Sequence, residues 1–163
     1  MQAKCDSLAY SFADSVIKFY GSPVIWSDEN QLSSEYTQLF TKNRQPDKIE
    51  MFGSSFIISK EDTAYYNQIK GKDMVGHFRD NEIYRIDVSG NGQSIYFARE
   101  EEKIVVMNQA ESSDFVLYLR EYKIELIKFL NQPDMLLIPK NEINAGNIRL
   151  VGFLWKELER PLK

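Results

Sequence analysis

The sequence predicts an all-β protein built from about four three-stranded repeats of roughly 33–41 residues. Two observations lead to this prediction: an internal repeat, and short runs of branched or aromatic residues separated by turn-forming residues. The composition agrees with it, because 13% of the residues are aromatic, with ten Phe and nine Tyr. Aromatic residues are enriched in strands.

The repeat is clearest between residues 67–97 and the stretch 41 residues later. Asn67-Gln68 recurs as Asn108-Gln109, and Gly92 falls at Pro133. The apolar positions correspond as follows: Ile83 with Ile124, Ile86 with Ile127, Val88 with Phe129, Ile95 with Leu136, and Phe97 with Ile138. A fixed period of this kind indicates stacked copies of one supersecondary unit. Earlier steps of 33 and 34 residues, from Val16 through Ile49 to Ile83, extend the pattern towards the amino terminus.

One repeat unit is predicted to contain three short strands. Residues Asp73–Phe78 alternate between two faces, and Arg79–Glu82 form a polar turn. Ile83–Val88 is a second run rich in branched residues. Ser89–Gly92 is predicted to be a turn, because its residues tolerate positive φ. Ser94–Phe97 then forms the third strand.

A helix is the competing interpretation of the second copy. Taken alone, residues Glu111–Leu130 suit an amphipathic helix about as well as they suit strands. The apolar residues that give this helical spacing are Phe115, Leu119, Tyr122, Leu126 and Phe129. The equivalent stretch of the first copy contains Gly76 and the Asp80-Asn81 turn, which suit only strands. Two copies of one unit share one structure, so strands are predicted in both.

The remaining segments are predicted from their polarity. Ser27–Asn30 and Lys42–Asp47 are polar and predict loops, and Thr63–Tyr66 predicts a connector with a short helical turn. Ile148–Trp155 predicts a last strand that ends before Arg160-Pro161. No Pro/Gly/Ser-rich linker interrupts the period, so residues 1–163 are expected to form a single domain. The abrupt start inside a repeat suggests that this domain is excised from a longer protein.

Composition argues against several classes of protein. A net charge of −4 gives no support to a nucleic-acid role, and no apolar run approaches the roughly 20 residues that span a bilayer. The residues after Met1 do not form a secretory signal. Cys5 is the only cysteine, so an internal disulfide and a thiolate metal site are both excluded.

An enzyme is not expected. His77 is the only histidine, and the predicted strand places it on the face opposite Met74 and Phe78. The Glu100-Glu101-Glu102 run could supply paired carboxylates for sugar hydrolysis, but it lies in a predicted turn, where a solvated acidic loop is the simpler interpretation. Ser89–Gly92 lacks the lysine and helix of a phosphate loop. No catalytic residue, metal site or cofactor is therefore predicted.

The apolar face of the predicted strands has two interpretations. Its residues form a packed core, or they line a slot for an acyl chain where packing is incomplete. The candidate groove-lining residues are Met74, Phe78, Ile86, Val88, Ile95, Phe97, Phe115, Leu119, Ile127, Phe129, Leu136 and Ile138. Arg85 and Asp87 alternate with this face and are expected to point outwards.

Four stretches resemble a known family. Asn67–Met74, Asp80–Ile83, Val88–Gly92 and Ala110–Asp114 are similar to the OstA/LptA-like family, in particular to its Bacteroidetes-type OstA-like proteins. The resemblance extends over nearly the whole chain, from Cys5 to Pro161. It implies an open β-jellyroll, in which two twisted sheets form a V.

The resemblance also implies a function. Members of the family carry lipopolysaccharide from the inner to the outer membrane, with acyl chains in the apolar interior. It therefore implies a periplasmic protein that binds the lipid A acyl chains, and that joins other β-jellyroll transport components, or itself, through edge strands. The family has no short catalytic motif, so it assigns no single residue of this chain a role.

A non-catalytic scaffold or protein-interaction β module is the alternative function. A dry, filled interior favours the scaffold, whereas a continuous open groove favours the carrier. For the carrier, a charge placed at Phe97 or Phe129 is expected to abolish lipid binding or folding.

Overall fold

A computed structural model describes residues 1–162, in which twelve strands form one sheet with antiparallel pairing. The all-β prediction is confirmed, and no α-helix is present in the described residues. In chain order the strands are β1 (Gln2–Lys4), β2 (Ser7–Ser11), β3 (Val16–Tyr20), β4 (Val24–Ser27), β5 (Asn30–Ser33), β6 (Tyr36–Lys42), β7 (Gln45–Lys60), β8 (Tyr66–Arg79), β9 (Glu82–Glu100), β10 (Lys103–Arg120), β11 (Lys123–Leu130) and β12 (Asp134–Pro139).

The four long strands β7 to β10 bend where their pairing register shifts. The shifts lie between Phe52 and Ser55, between Lys70 and Asp73, and between Ser112 and Asp114. Because these bulges are aligned across neighbouring strands, they bend the whole sheet along one line. The sheet therefore has two halves, which we call the first arm and the second arm.

Each arm combines short strands with one half of every long strand. The first arm contains β2, β3, β6, residues 45–52, 73–79, 82–89 and 114–120, and β11. The second arm contains β1, β4, β5, residues 55–60, 66–71, 93–100 and 103–112, and β12.

The predicted turn at Ser89–Gly92 is wrong. These residues continue β9 from the first arm into the second. Gly90 and Asn91 do adopt positive φ, of 80° and 52°, as their residue types suggest. The chain bends instead of reversing because the neighbouring strands β8 and β10 bend at the same place.

The strand prediction for residues 111–130 is confirmed. Glu121 and Tyr122 form the turn between β10 and β11, with positive φ of 50° and 62°. A bulge after this turn lets both Ile124 and Ile127 face the core, since Leu119 pairs with Ile124 and Tyr118 with Leu126. The β8–β9 hairpin contains an equivalent bulge, where Phe78 pairs with Ile83 and His77 with Arg85.

Two clusters of buried apolar side chains lie on opposite faces of the second arm. Ile57 packs in the cluster between the arms, whereas the adjacent Ile58 packs in the other cluster, on the outer face. Successive strand residues point to opposite faces, so the second arm is apolar on both sides. The outer cluster is covered by residues 143–155 of the carboxyl-terminal segment. We call residues 143–162 the tail.

The tail is not the predicted last strand, because two glutamine side chains bond its backbone where a neighbouring strand would. The Gln68 amide donates to the carbonyl of Ile148 over 2.7 Å and accepts from the N–H of Leu150 over 2.8 Å. Gln31 does the same with Leu154 and Lys156, over 2.8 and 2.7 Å. Both glutamines are buried, so these bonds satisfy backbone and side chain together.

The end of the tail is attached to β1. Arg160 donates from Nε to the Gln2 side chain over 2.6 Å, and the Gln2 amide donates to the carbonyl of Pro161. The Lys4 ammonium lies 2.8 Å from the Glu159 carboxylate, and this hydrogen bond lowers the pKa of Glu159. The tail thus crosses the second arm from β12 to its opposite edge.

The outer face of the first arm carries an aromatic row in which Tyr36 lies between Tyr20 and Phe52, at ring distances of 5.1 and 5.9 Å. Burial and a hydrogen bond with Tyr20 raise the pKa of Tyr36 above its ordinary value of 10.0. The raised pKa contributes to the free energy of unfolding; this contribution is fully present below pH 10.0 and is lost as the pH rises through the folded-state pKa.

We expect Tyr36→Phe to reduce the alkaline decline of the unfolding free energy, measured by urea titration at several pH values. An unchanged pH profile would contradict this account.

Within residues 1–162 the structure contains no helix that is long and apolar enough to cross a membrane.

Candidate functional site: the interior between the arms

The first arm forms one wall of the interior. Eight of the twelve candidate residues lie in this cluster: Met74, Phe78, Ile86, Val88, Phe115, Leu119, Ile127 and Phe129. All eight belong to β8, β9, β10 and β11, in halves whose inward positions alternate with outward polar ones. Arg85 and Asp87 lie on the outer face, as expected, and bond each other over 2.6 Å.

The other four candidate residues lie on the opposite face of the second arm. Ile95, Phe97 and Ile138 belong to the outer cluster beneath the tail, and Leu136 is exposed on the same face. Because β9 continues through its bend, the alternation places Ser94 inward in register with Ile69, and Ile95 and Phe97 outward. A charge at Phe97 would therefore disrupt the packing of the tail rather than the interior.

The second wall was missed from the sequence. Ile25, Leu32, Ile57 and Ile69 of the second arm pack against the first-arm residues. Their strands are apolar on both faces, so no polar alternation distinguishes inward from outward side chains. For Ile69 the available signal is its place directly after Asn67-Gln68 in the repeat.

The middle of the interior is closely packed. Phe115 and Leu117 are 0% exposed, and towards the tips of the arms, beside Leu119, the walls leave a cavity of about 30 Å³. This small cavity lies between Leu32, Ile57 and Ile69 on one side and Leu119 and Ile124 on the other. It is too small for an acyl chain in this conformation.

A polar opening of about 780 Å³ lies between the tips of the two arms. Tyr122 and Ile124 border both this opening and the small cavity below it. Burial, the charges of Asp28 and Glu82, and a hydrogen bond with Glu82 raise the pKa of Tyr122. The rim contains five carboxylates, from Asp28, Glu29, Glu61, Glu102 and Glu121, and three cations, from Lys60, Arg99 and Lys123.

An apolar groove of about 290 Å³ opens at the end of the interior between β11 and β12. Ile127 and Phe129 form one side, and Met135 and Leu137 form the other, with 51% and 61% of the latter two exposed. Tyr96 lies in its floor, and burial raises the pKa of this tyrosine. The groove is thus the apolar continuation of the interior to the surface.

The fold is shared with a solved structure. The chain is similar to LptH from Pseudomonas aeruginosa, the LptA-homologous periplasmic component of the conserved lipopolysaccharide transport device, with a TM-score of 0.61. The match covers 83% of this chain and 92% of LptH, at 14% sequence identity. The fold is the LptA-type β-jellyroll. No family model and no curated protein matches the chain.

The jellyroll places His77 and the Glu101-Glu102 turn outside the packed interior. His77 lies on the outer face of the first arm, where its Nε2 is 2.8 Å from Asp87. Glu101 and Glu102 form the turn between β9 and β10. Among residues 1–162, no three His, Cys, Asp or Glu side chains are grouped to hold a metal ion.

Proposed function

We propose that this protein is a periplasmic carrier of lipopolysaccharide, which holds lipid A acyl chains between its two arms and releases them without covalent chemistry. The apolar end groove is the observation that carries this proposal, because it joins the interior cluster to the surface. Its volume of about 290 Å³ is near the lower end of ligand sites, which span roughly 300–1,000 Å³. The shared fold with LptH supports the same function.

Binding of a long acyl chain requires the arms to separate. The walls leave a cavity of only about 30 Å³, so a chain would replace side-chain contacts between Ile86 or Leu119 and the second arm. Alkyl groups can replace these contacts with little loss of buried apolar area. The ligand would shift the population from this closed conformation to an open one.

Edge strands are the proposed contacts with partners. β1 pairs with β4 alone, and β11 with β10 alone, within the described residues. An unpaired edge presents backbone donors and acceptors to another strand. We propose that another β-jellyroll component, or a second copy of this chain, pairs there and continues the interior.

Photo-crosslinking to lipopolysaccharide tests the carrier. A photoreactive residue at Phe129 or Leu137, on the two sides of the end groove, is expected to crosslink to the lipid. The same residue at Arg85, on the outer face of the first arm, is expected to give a much lower yield. Equal yields at all three positions, from folded protein, would reject the interior as the lipid site.

A scaffold function is the second candidate, and the packed middle of the interior favours it. A scaffold would bind partners through its edges and leave Phe129 and Leu137 uncrosslinked by lipid. The crosslinking experiment therefore distinguishes the two candidates directly.

A further inference from the structure

Three spaces of the interior meet at the β10–β11 hairpin. Its residues border the polar opening, the small cavity below it and the end groove. Tyr122 borders two of these spaces, and Ile124 borders all three. A change in the Ile124 side chain therefore alters the barrier between every one of these spaces.

β11 is also a weakly supported part of the wall. It pairs only with β10 in the described chain, and none of its eight residues is fully buried. Segments with few buried contacts open at a lower free energy than the rest of a fold. The facing wall is different, because the tail ties the second arm together through Gln31 and Gln68.

The charges of the polar opening select which part of an amphiphile can pass. Five carboxylates face three cations around the rim, and one of these cations, Arg99, already pairs with Glu61. An anionic phosphate group would be repelled there, whereas an alkyl chain has no charge to repel. Passage by the chain end is thus favoured over passage by an anionic headgroup.

We propose that Ile124 is the specificity-determining residue that controls admission of an alkyl chain to the interior, and that the β10–β11 hairpin moves to admit it. This inference rests on the proposed carrier function. Ile124 lies where the three spaces meet, with Tyr122 between two of them, and outward movement of the hairpin joins the spaces into one groove. The chain then lies along the first-arm wall with its end towards the polar opening, and its headgroup stays outside the end groove, away from the rim carboxylates.

The test measures binding of a fluorescent amphiphile, 5-(dodecanoylamino)fluorescein, by stopped-flow fluorescence. Its anionic fluorophore is the headgroup, and its alkyl chain end is free. Ile124→Trp fills the junction and is expected to slow association by about tenfold or more. Ile124→Ala widens the junction and is expected to speed association severalfold. Ile17→Trp is the matched control, because Ile17 is also half-buried against the same cluster but borders none of the three spaces. Its association rate is expected to stay within about twofold of the unmodified protein.

The outcomes separate this inference from the function on which it rests. Unmodified protein that binds neither the fluorescent amphiphile nor lipopolysaccharide overturns both. Unmodified protein that binds, with Ile124→Trp and Ile124→Ala at its own rate, overturns only the role of Ile124. Equal slowing by Ile17→Trp would assign the effect to general packing and also overturn that role. Should Ile124→Trp fail to fold by circular dichroism, the Ile124→Ala rate decides, since it must increase.

Discussion

Replacing Phe115 with alanine is expected to lower the free energy of unfolding by about 3–5 kcal/mol, because the ring lies in the packed middle of the interior. Phe115 is 0% exposed and its ring centre lies 5.3 Å from that of Phe129. Urea unfolding followed by circular dichroism measures the change. Phe52→Ala is the control, since Phe52 lies on the outer face with 37% exposed and is expected to lose about 1 kcal/mol.

A substitution at Gly92 tests the packing of Phe115 in a second way. A Cβ atom at Gly92 would lie 2.4 Å from a ring carbon of Phe115, so Gly92→Ala forces the ring to move. We expect Gly92→Ala to destabilise the unmodified protein by about 1–3 kcal/mol and the Phe115→Ala variant by much less. Additive losses, or a Phe115→Ala loss no larger than that of Phe52→Ala, would contradict close packing at this point.

Replacing Gln68 with leucine is expected to lower the free energy of unfolding by about 2–4 kcal/mol, because two backbone groups of the tail lose their partner. These groups are the carbonyl of Ile148 and the N–H of Leu150. Loss of the tail contact is also expected to expose Trp155, which packs against the outer cluster. Chemical denaturation and the tryptophan emission maximum measure the two effects.

Gln109→Leu is the matched control for Gln68. Gln109 lies on the same face, in register with Ile95, but the tail bonds to Gln31 and Gln68 instead. Its replacement is expected to change stability by less than about 0.5 kcal/mol. Similar losses for the two variants would mean that the tail is held by apolar packing alone.

The all-β fold could be predicted from the sequence because its signals are local and repeated. The alternation around Met74 and Phe78 identifies strands in the first copy, and the repeat extends this prediction to residues 111–130, where the local spacing alone suits a helix equally well. The face of Ile95 and Phe97 could not be predicted in this way. Gly90 and Asn91 indicate positive φ, but whether the chain then bends or reverses depends on the neighbouring strands.

Hydrogen bonds between a side chain and a distant stretch of backbone also cannot be predicted from sequence patterns. The apolar run from Ile148 to Trp155 has a composition that suits a strand, and nothing nearby in the sequence identifies Gln31 and Gln68 as its partners. The half of the candidate site on the second arm was missed for a related reason. Because residues on both faces of the second arm are apolar, as at Ile57 and Ile58, the sequence does not show which of them point into the interior unless the position of the tail is known.

The path of the tail sets the order in which the two arms can be completed during folding. The first arm uses residues 7–130, so its strands can all pair before the last part of the chain is in place. The second arm needs contacts between residues 155 to 159 positions apart, such as Lys4 with Glu159 and Gln2 with Pro161. Contacts of such separation form late, because the loop must first be closed. A chain that is synthesised from its amino terminus would therefore complete the first arm early. At that stage the outer apolar face of the second arm would not yet be covered by the tail.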